Sequence, residues 1–133
     1  MDNLKVMKEL YAAFGRGDVG TVLAAFAPNI EWRQAEGNPY QPSGAPWFGG
    51  EAITQELFVK LGIEWDGFIV TPKVFHDAGD TVVAEGRYTG TFKATGKDID
   101  AQFCHVWRLK NGKVVSFQQY VDTGQMQDVA GTR

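Results

Sequence analysis

Cysteine is almost missing from this 133-residue chain. The single one, Cys104, excludes an internal disulfide framework and suits a reducing, cytoplasmic setting. Its place in a strand-like alternation reads as a small buried hydrophobe rather than a nucleophile. Charge of one sign is also scarce. The net charge is −3 with 22% charged residues, and Lys and Arg never form a block, so no nucleic-acid partner is expected. No apolar run approaches the roughly 20 residues that cross a bilayer, and Met1-Asp2-Asn3-Leu4-Lys5 lacks a signal-peptide pattern. No membrane partner is expected either. There are only two histidines, with no Cys or carboxylate at ligand spacing, so no metal site is expected. Gly49-Gly50 lacks the lysine of a phosphate loop, no Gly-x-Ser-x-Gly elbow exists, and no cofactor is implied.

What is present is aromatic surface, 13% of residues, and a length that predicts one domain over residues 1–133. Leu4, Met7, Leu10, Tyr11 and Phe14 repeat at the spacing of one buried helical face, with Asp2 or Asn3 as cap and Gly15 and Gly17 as stop. Asp18 caps a second short helix carrying Val22, Leu23 and Phe26, which Pro28 ends. Residues 29–34 alternate as a strand, with Ile30, Trp32 and Gln34 on one side. The stretch from Ala35 to Gly50, rich in Pro and Gly, reads as a long covering loop that carries Tyr40, Trp47 and Phe48. A third helix is expected from about Glu51 to Leu61.

From Trp65 onward the pattern becomes four strands, near 67–76, 81–93, 99–110 and 113–122, separated by turn signals that include Asn111-Gly112. The second strand holds Gly86 and Gly90, where bulges or bends would let the sheet curl. After Asp122 the tail reads as polar, with one loose helical turn. Helices followed by antiparallel strands make an α+β fold: a curved sheet, mixed in part, wrapped as a cone around the first helix.

Alternation along the last two strands places Phe103, His105 and Trp107 on one face and Phe117 and Gln119 on the next. An imidazole and an amide thus project into an apolar lining, the construction of a small-molecule pocket. His105 is the candidate acid/base group, because an imidazole titrates near neutrality and an apolar lining disfavours its cation. A core histidine satisfied by protein partners is the alternative. Tyr11 is either core or a cavity donor. Trp32 and Trp107 read as wall. Glu36, just past the first strand, is the carboxylate free to swing into the mouth, whereas the parity of Glu31 and Asp122 turns them outward.

The segments Tyr11-Ala12-Ala13-Phe14-Gly15-Arg16-Gly17-Asp18, Phe26-Ala27-Pro28-Asn29-Ile30-Glu31-Trp32, Trp47-Phe48-Gly49-Gly50-Glu51-Ala52-Ile53 and His105-Val106-Trp107 resemble the NTF2-like superfamily. Within it they resemble the SnoaL-like and ketosteroid-isomerase-like proteins. The resemblance implies the cone fold but not one reaction, since this superfamily hosts isomerases, cyclases, dehydratases and non-catalytic binders. In ketosteroid isomerases a tyrosine on the first helix and a protonated Asp stabilise an oxyanion. Tyr11 and His105 match those places. The isomerase base matches Gln34, and the acid/base Asp of SnoaL-like cyclases matches Gln119. Neither amide takes a proton at neutral pH.

The resulting expectation is a cytoplasmic homodimer, joined through the outer face of its sheet, that binds a small apolar oxygen-bearing ligand. Tyr11 and His105 are its catalytic candidates, while Trp32, Gln34, Glu36, Tyr40, Trp47, Phe103, Trp107, Phe117 and Gln119 contact the ligand. An isomerase or lyase of this kind should show His105, Tyr11 and a carboxylate converging on an open cavity. A non-catalytic binder should instead show a closed polar cluster that satisfies His105.

Overall fold

The computed structural model describes residues 2–132 and is α+β, with one six-stranded sheet in the order β2-β1-β6-β5-β4-β3. Helix α1 (Asn3–Gly15) starts at Asp2, whose side chain accepts from the Lys5 N–H, and buries Met7, Leu10, Tyr11 and Ala13. Helix α2 (Val19–Ala24) is capped by Asp18. It stops earlier than its sequence suggests, because Phe26 and Pro28 belong to strand β1 (Phe26–Arg33). Pro28 is tolerated there because the parallel pairing of β1 with β6 (Lys113–Val121) skips from Phe26 to Glu31. Its missing N–H therefore costs no ladder bond.

The 35–50 loop is not wholly irregular. Trp47–Phe48 form a short edge strand, β2, antiparallel to Glu31 and Trp32. The following helix is broken in the middle: α3 (Gly50–Ile53), a wide π-type turn (Thr54–Phe58) and α4 (Val59–Glu64). Strands β3 (Trp65–Ala78), β4 (Thr81–Phe92) and β5 (Lys97–Lys110) then form an antiparallel meander with β6. The β5–β6 turn uses Asn111 and Gly112, both at positive φ (51° and 74°), the geometry of a tight hairpin whose twist matches its strands.

The extra residues that interrupt the antiparallel ladders lie in β3 and, at Val115, in β6, not in β4. Pairing shifts between Asp66 and Ile69 and again between Pro72 and Val74, opposite the glycines of β4. Gly86 permits the tighter approach. A Cβ there would lie 2.2 Å from the Thr71 carbonyl oxygen and 2.6 Å from Phe103 Cζ.

The chain after Asp122 is a full helix, α5 (Thr123–Ala130), capped by the Asp122 side chain. Its Met126 and Val129 are buried with Trp65, Ile99 and Ala101 in a second apolar cluster. The expected loose polar tail is thus corrected: Met126 and Val129, three apart on one helical face, supply enough apolar area to dock it.

Candidate functional site

Curling the sheet around α1 leaves a cavity with about 610 Å³ of atom-free space, mouth included, and a narrow interior of about 60 Å³ in which the centres of water-sized molecules fit. Helices α1 and α2, the broken helix, five strands and α5 contribute to its wall, and among the described residues no Asp, Glu, Lys or Arg borders it. The aromatic residues interlock: Trp32 stacks on Phe117 with centroids 3.8 Å apart and meets Trp107 edge-on at 5.7 Å.

Most polar groups in this apolar enclosure form one connected cluster, with Gln34 apart from it, paired with the Trp32 indole. The Tyr11 hydroxyl lies 2.6 Å from His105 Nδ1 and accepts the Trp107 indole N–H at 2.9 Å. On the other side of the ring, His105 Nε2 is hydrogen-bonded to the Tyr88 hydroxyl, which accepts from Gln119 Nε2 at 2.9 Å. Gln119 Oε1 in turn accepts from Asn38 Nδ2 at 2.8 Å and from the Ala35 backbone N–H at 3.3 Å. Asn38 Oδ1 accepts from the Tyr40 N–H. Two backbone N–H groups thus fix which amide atom is oxygen in both Gln119 and Asn38, because a backbone nitrogen only donates. Every buried polar side-chain atom among the described residues has a partner.

The local sequence explains this geometry. In β4, Val82, Ala84, Gly86 and Tyr88 share the inner face, and Ala84 pairs with His105. Gly86 leaves room for the Phe103 ring, which stacks 4.0 Å from His105 at 13° and packs against Tyr88 at 4.5 Å. Burial keeps this cluster uncharged: desolvation holds the His105 pKa at about 3 and raises those of Tyr11 and Tyr88. A charge here has neither water nor a counter-ion to stabilise it.

Of the residues expected at the site, Tyr11, Trp32, Gln34, Tyr40, His105, Trp107, Phe117 and Gln119 all border the cavity. Three expected contacts stand elsewhere. Glu36 is exposed on the outside of its loop, so it adds no carboxylate to the interior. Trp47 is drawn into β2 beside Trp32 and packs against the core from behind. Phe103 is buried beneath the imidazole rather than at the cavity surface. Both ring nitrogens of His105 are engaged by tyrosines, so neither touches a ligand directly.

Tyr88 and Asn38 were not anticipated. Tyr88 was detectable from the inward parity of β4. Asn38 carried no signal, because its burial depends on the fold of a loop. That loop is pinned at three points. Asn38 holds Gln119, and Gln127 Nε2 donates to the Gly37 carbonyl at 2.8 Å. The Tyr40 hydroxyl donates to Glu64 at 2.6 Å and accepts the Trp65 indole N–H at 2.9 Å.

The fold and sequence have clear relatives. An NTF2-like protein from Burkholderia thailandensis is 37% identical, with 96% of this chain and 95% of that one covered and a TM-score of 0.90. An NTF2-like protein of unknown function from Burkholderia pseudomallei is 28% identical over 98% of each chain, with a TM-score of 0.87. TerC, co-crystallised with polyporic acid, is 24% identical over 97% of this chain and 98% of its own, with a TM-score of 0.84. No match was found among curated proteins. Residues 7–117 match the SnoaL-like domain, and the chain belongs to that family, with the NTF2-like cone as its fold.

Proposed function

We propose that the chain binds a small, flat, largely apolar molecule that carries oxygen. The observation behind this reading is an aromatic-walled cavity bordered by a neutral hydrogen-bonded network that runs from Tyr11 through His105 and Tyr88 to Gln119. Aromatic faces favour a conjugated ring, and the absence of charged groups in the wall favours an uncharged ligand. Gln34 adds a further amide: its Oε1 is taken by the Trp32 indole at 2.9 Å, and its Nε2 donates to no described residue. TerC, a similar fold, was co-crystallised with the small molecule polyporic acid, which is in keeping with this reading. The reading includes a cytoplasmic protein that pairs through the outer face of its sheet, where Tyr120 is 57% exposed.

The closed network that satisfies His105, with no carboxylate in the wall, is the arrangement expected of a binder. Native mass spectrometry of protein purified from cell extract should show a bound organic molecule. Addition of 2-naphthol should quench the fluorescence of Trp32 and Trp107 saturably in the wild type, and more weakly in Leu61→Phe, which adds bulk to the cavity wall. An empty protein that 2-naphthol never quenches refutes the reading.

A second reading, proton transfer on the bound molecule, is favoured by Tyr11, which lines the cavity and matches in sequence the tyrosine with which ketosteroid isomerases stabilise an oxyanion. Such a donor contributes about 10²–10³ in rate. Tyr11→Phe and His105→Ala should each cut turnover of an identified substrate, and unchanged turnover in both removes this reading.

A further inference from the structure

Counting hydrogens in the cluster leaves one unspent. The Trp107 and Gln119 N–H groups already donate to the oxygens of Tyr11 and Tyr88. Between those oxygens lies a neutral imidazole with one N–H and one bare nitrogen. The two contacts Tyr11–Nδ1 and Nε2–Tyr88 therefore have three hydrogens available: one on each hydroxyl and one on the ring. Two are used. If Nε2 carries the hydrogen, Tyr11 donates to Nδ1 and the Tyr88 hydroxyl hydrogen is free. If Nδ1 carries it, Tyr88 donates to Nε2 and the Tyr11 hydrogen is free. No described residue accepts from either free hydroxyl, and both tyrosines border the cavity. An acceptor inside the cavity would complete the count.

We propose that Tyr11, His105 and Tyr88 form a proton relay that takes a hydrogen from one oxygen of the ligand and returns one to another. The ligand is then a conjugated hydroxy-carbonyl compound with one oxygen at each tyrosine. The inference rests on the ligand-binding reading and deepens it.

The relay begins with the ligand hydroxyl donating to Tyr11 and the ligand carbonyl accepting from Tyr88. The Tyr88 O–H bond breaks as its hydrogen passes to the carbonyl oxygen. Tyr88 takes the hydrogen from His105 Nε2, Nδ1 takes that of Tyr11, and Tyr11 takes that of the ligand hydroxyl. Within the ligand the double bonds shift, so its hydroxyl becomes carbonyl and its carbonyl becomes hydroxyl. Each of the four hydrogens moves one place. No charge accumulates, and no oxidant or reductant is needed. The product state mirrors the start, with the ring in its other tautomer. A relay of this type suits an uncharged site, because it needs no ionised base where ions are disfavoured. Tyr11 and Tyr88 touch the ligand as catalytic residues; His105 acts through them.

The test uses the 133-residue protein labelled with ¹⁵N-histidine, metal-free, at pH 5, with 4-hydroxytropone as probe. It is a flat hydroxy-ketone with its oxygens on opposite sides of the ring, as the Tyr11 and Tyr88 hydroxyls stand on opposite sides of the imidazole, and they exchange roles when the proton moves. Only two histidines contribute signals, and His105→Gln assigns them. With 4-hydroxytropone bound, both ring nitrogens of His105 should resonate midway between protonated and bare positions, as two tautomers in exchange. Tyr88→Phe should hold the ring in one tautomer with 4-hydroxytropone still bound, and Tyr11→Phe should do the same from the other end. A wild-type ring fixed in one tautomer with 4-hydroxytropone bound overturns the relay and leaves the ligand-binding reading standing. A protein that 2-naphthol quenches and 4-hydroxytropone does not overturns the proposed ligand class. One that neither probe reaches refutes the binding reading itself.

Discussion

Acidification should destabilise this protein through a single buried ring, and the size of the effect follows from its burial. In the unfolded chain the His105 imidazole takes up a proton below about pH 6.5. In the folded chain it does so only near pH 3, because burial disfavours the cation. Between these values the unfolded state binds more protons, so stability falls as the pH falls. The full interval corresponds to at most about 5 kcal/mol, at about 1.4 kcal/mol per pH unit. Relative to pH 7, about 2 kcal/mol is lost at pH 5 and about 3 kcal/mol at pH 4. Urea unfolding followed by tryptophan fluorescence at those three pH values measures it, in wild type and in His105→Gln. The amide is neutral throughout, and every other titrating group is common to both proteins. The wild-type curve should therefore drop more steeply, by the amounts given. Parallel curves refute the reasoning, since they mean that the ring is hydrated or paired with an anion when folded.

Gly86→Ala should cost about 3 kcal/mol, because its methyl would overlap the Thr71 carbonyl and the Phe103 ring; the urea midpoint reports it. Tyr40→Phe removes the hydroxyl that joins the loop to Glu64 and Trp65. It should cost about 1–2 kcal/mol and raise amide hydrogen exchange at residues 36–44, whereas unchanged exchange would show that the loop is held elsewhere. Asp122→Ala removes the α5 cap and should lower stability by about 1 kcal/mol, with increased exchange confined to residues 123–130.

The parts of the fold that were legible in the sequence are those set by local periodicity. The face of α1 and the inward parity of β5 and β6 could be read because solvent lies on one side and core on the other. That parity also placed His105 and Gln119 beside each other before any coordinates. What could not be read depends on contacts distant in sequence. The π-type turn in the helix after Gly50 leaves the apolar spacing nearly intact, so nothing local announces it. Trp47 looked like loop surface because only its pairing with Trp32 makes it a strand. Helix α5 looked too polar to dock, because two apolar side chains suffice once Trp65 and Ile99 provide a seat. The glycines of β4 are visible in the sequence, but the extra residues opposite them sit in β3; a glycine marks where a neighbour presses in, not which strand kinks. Asn38 lies in a segment without periodicity, and its importance appears only when the loop closes on Gln119.

The cone owes its curvature to extra backbone residues in β3 and to the missing side chain at Gly86, not to the groups that face inward. Shell and contents are therefore separable. Exchanging Gln34 for a carboxylate, which could still accept the Trp32 indole N–H, would alter the chemistry of the interior while the vessel kept its shape. A scaffold that decouples form from reactivity in this way can acquire a new reaction by changing very few residues.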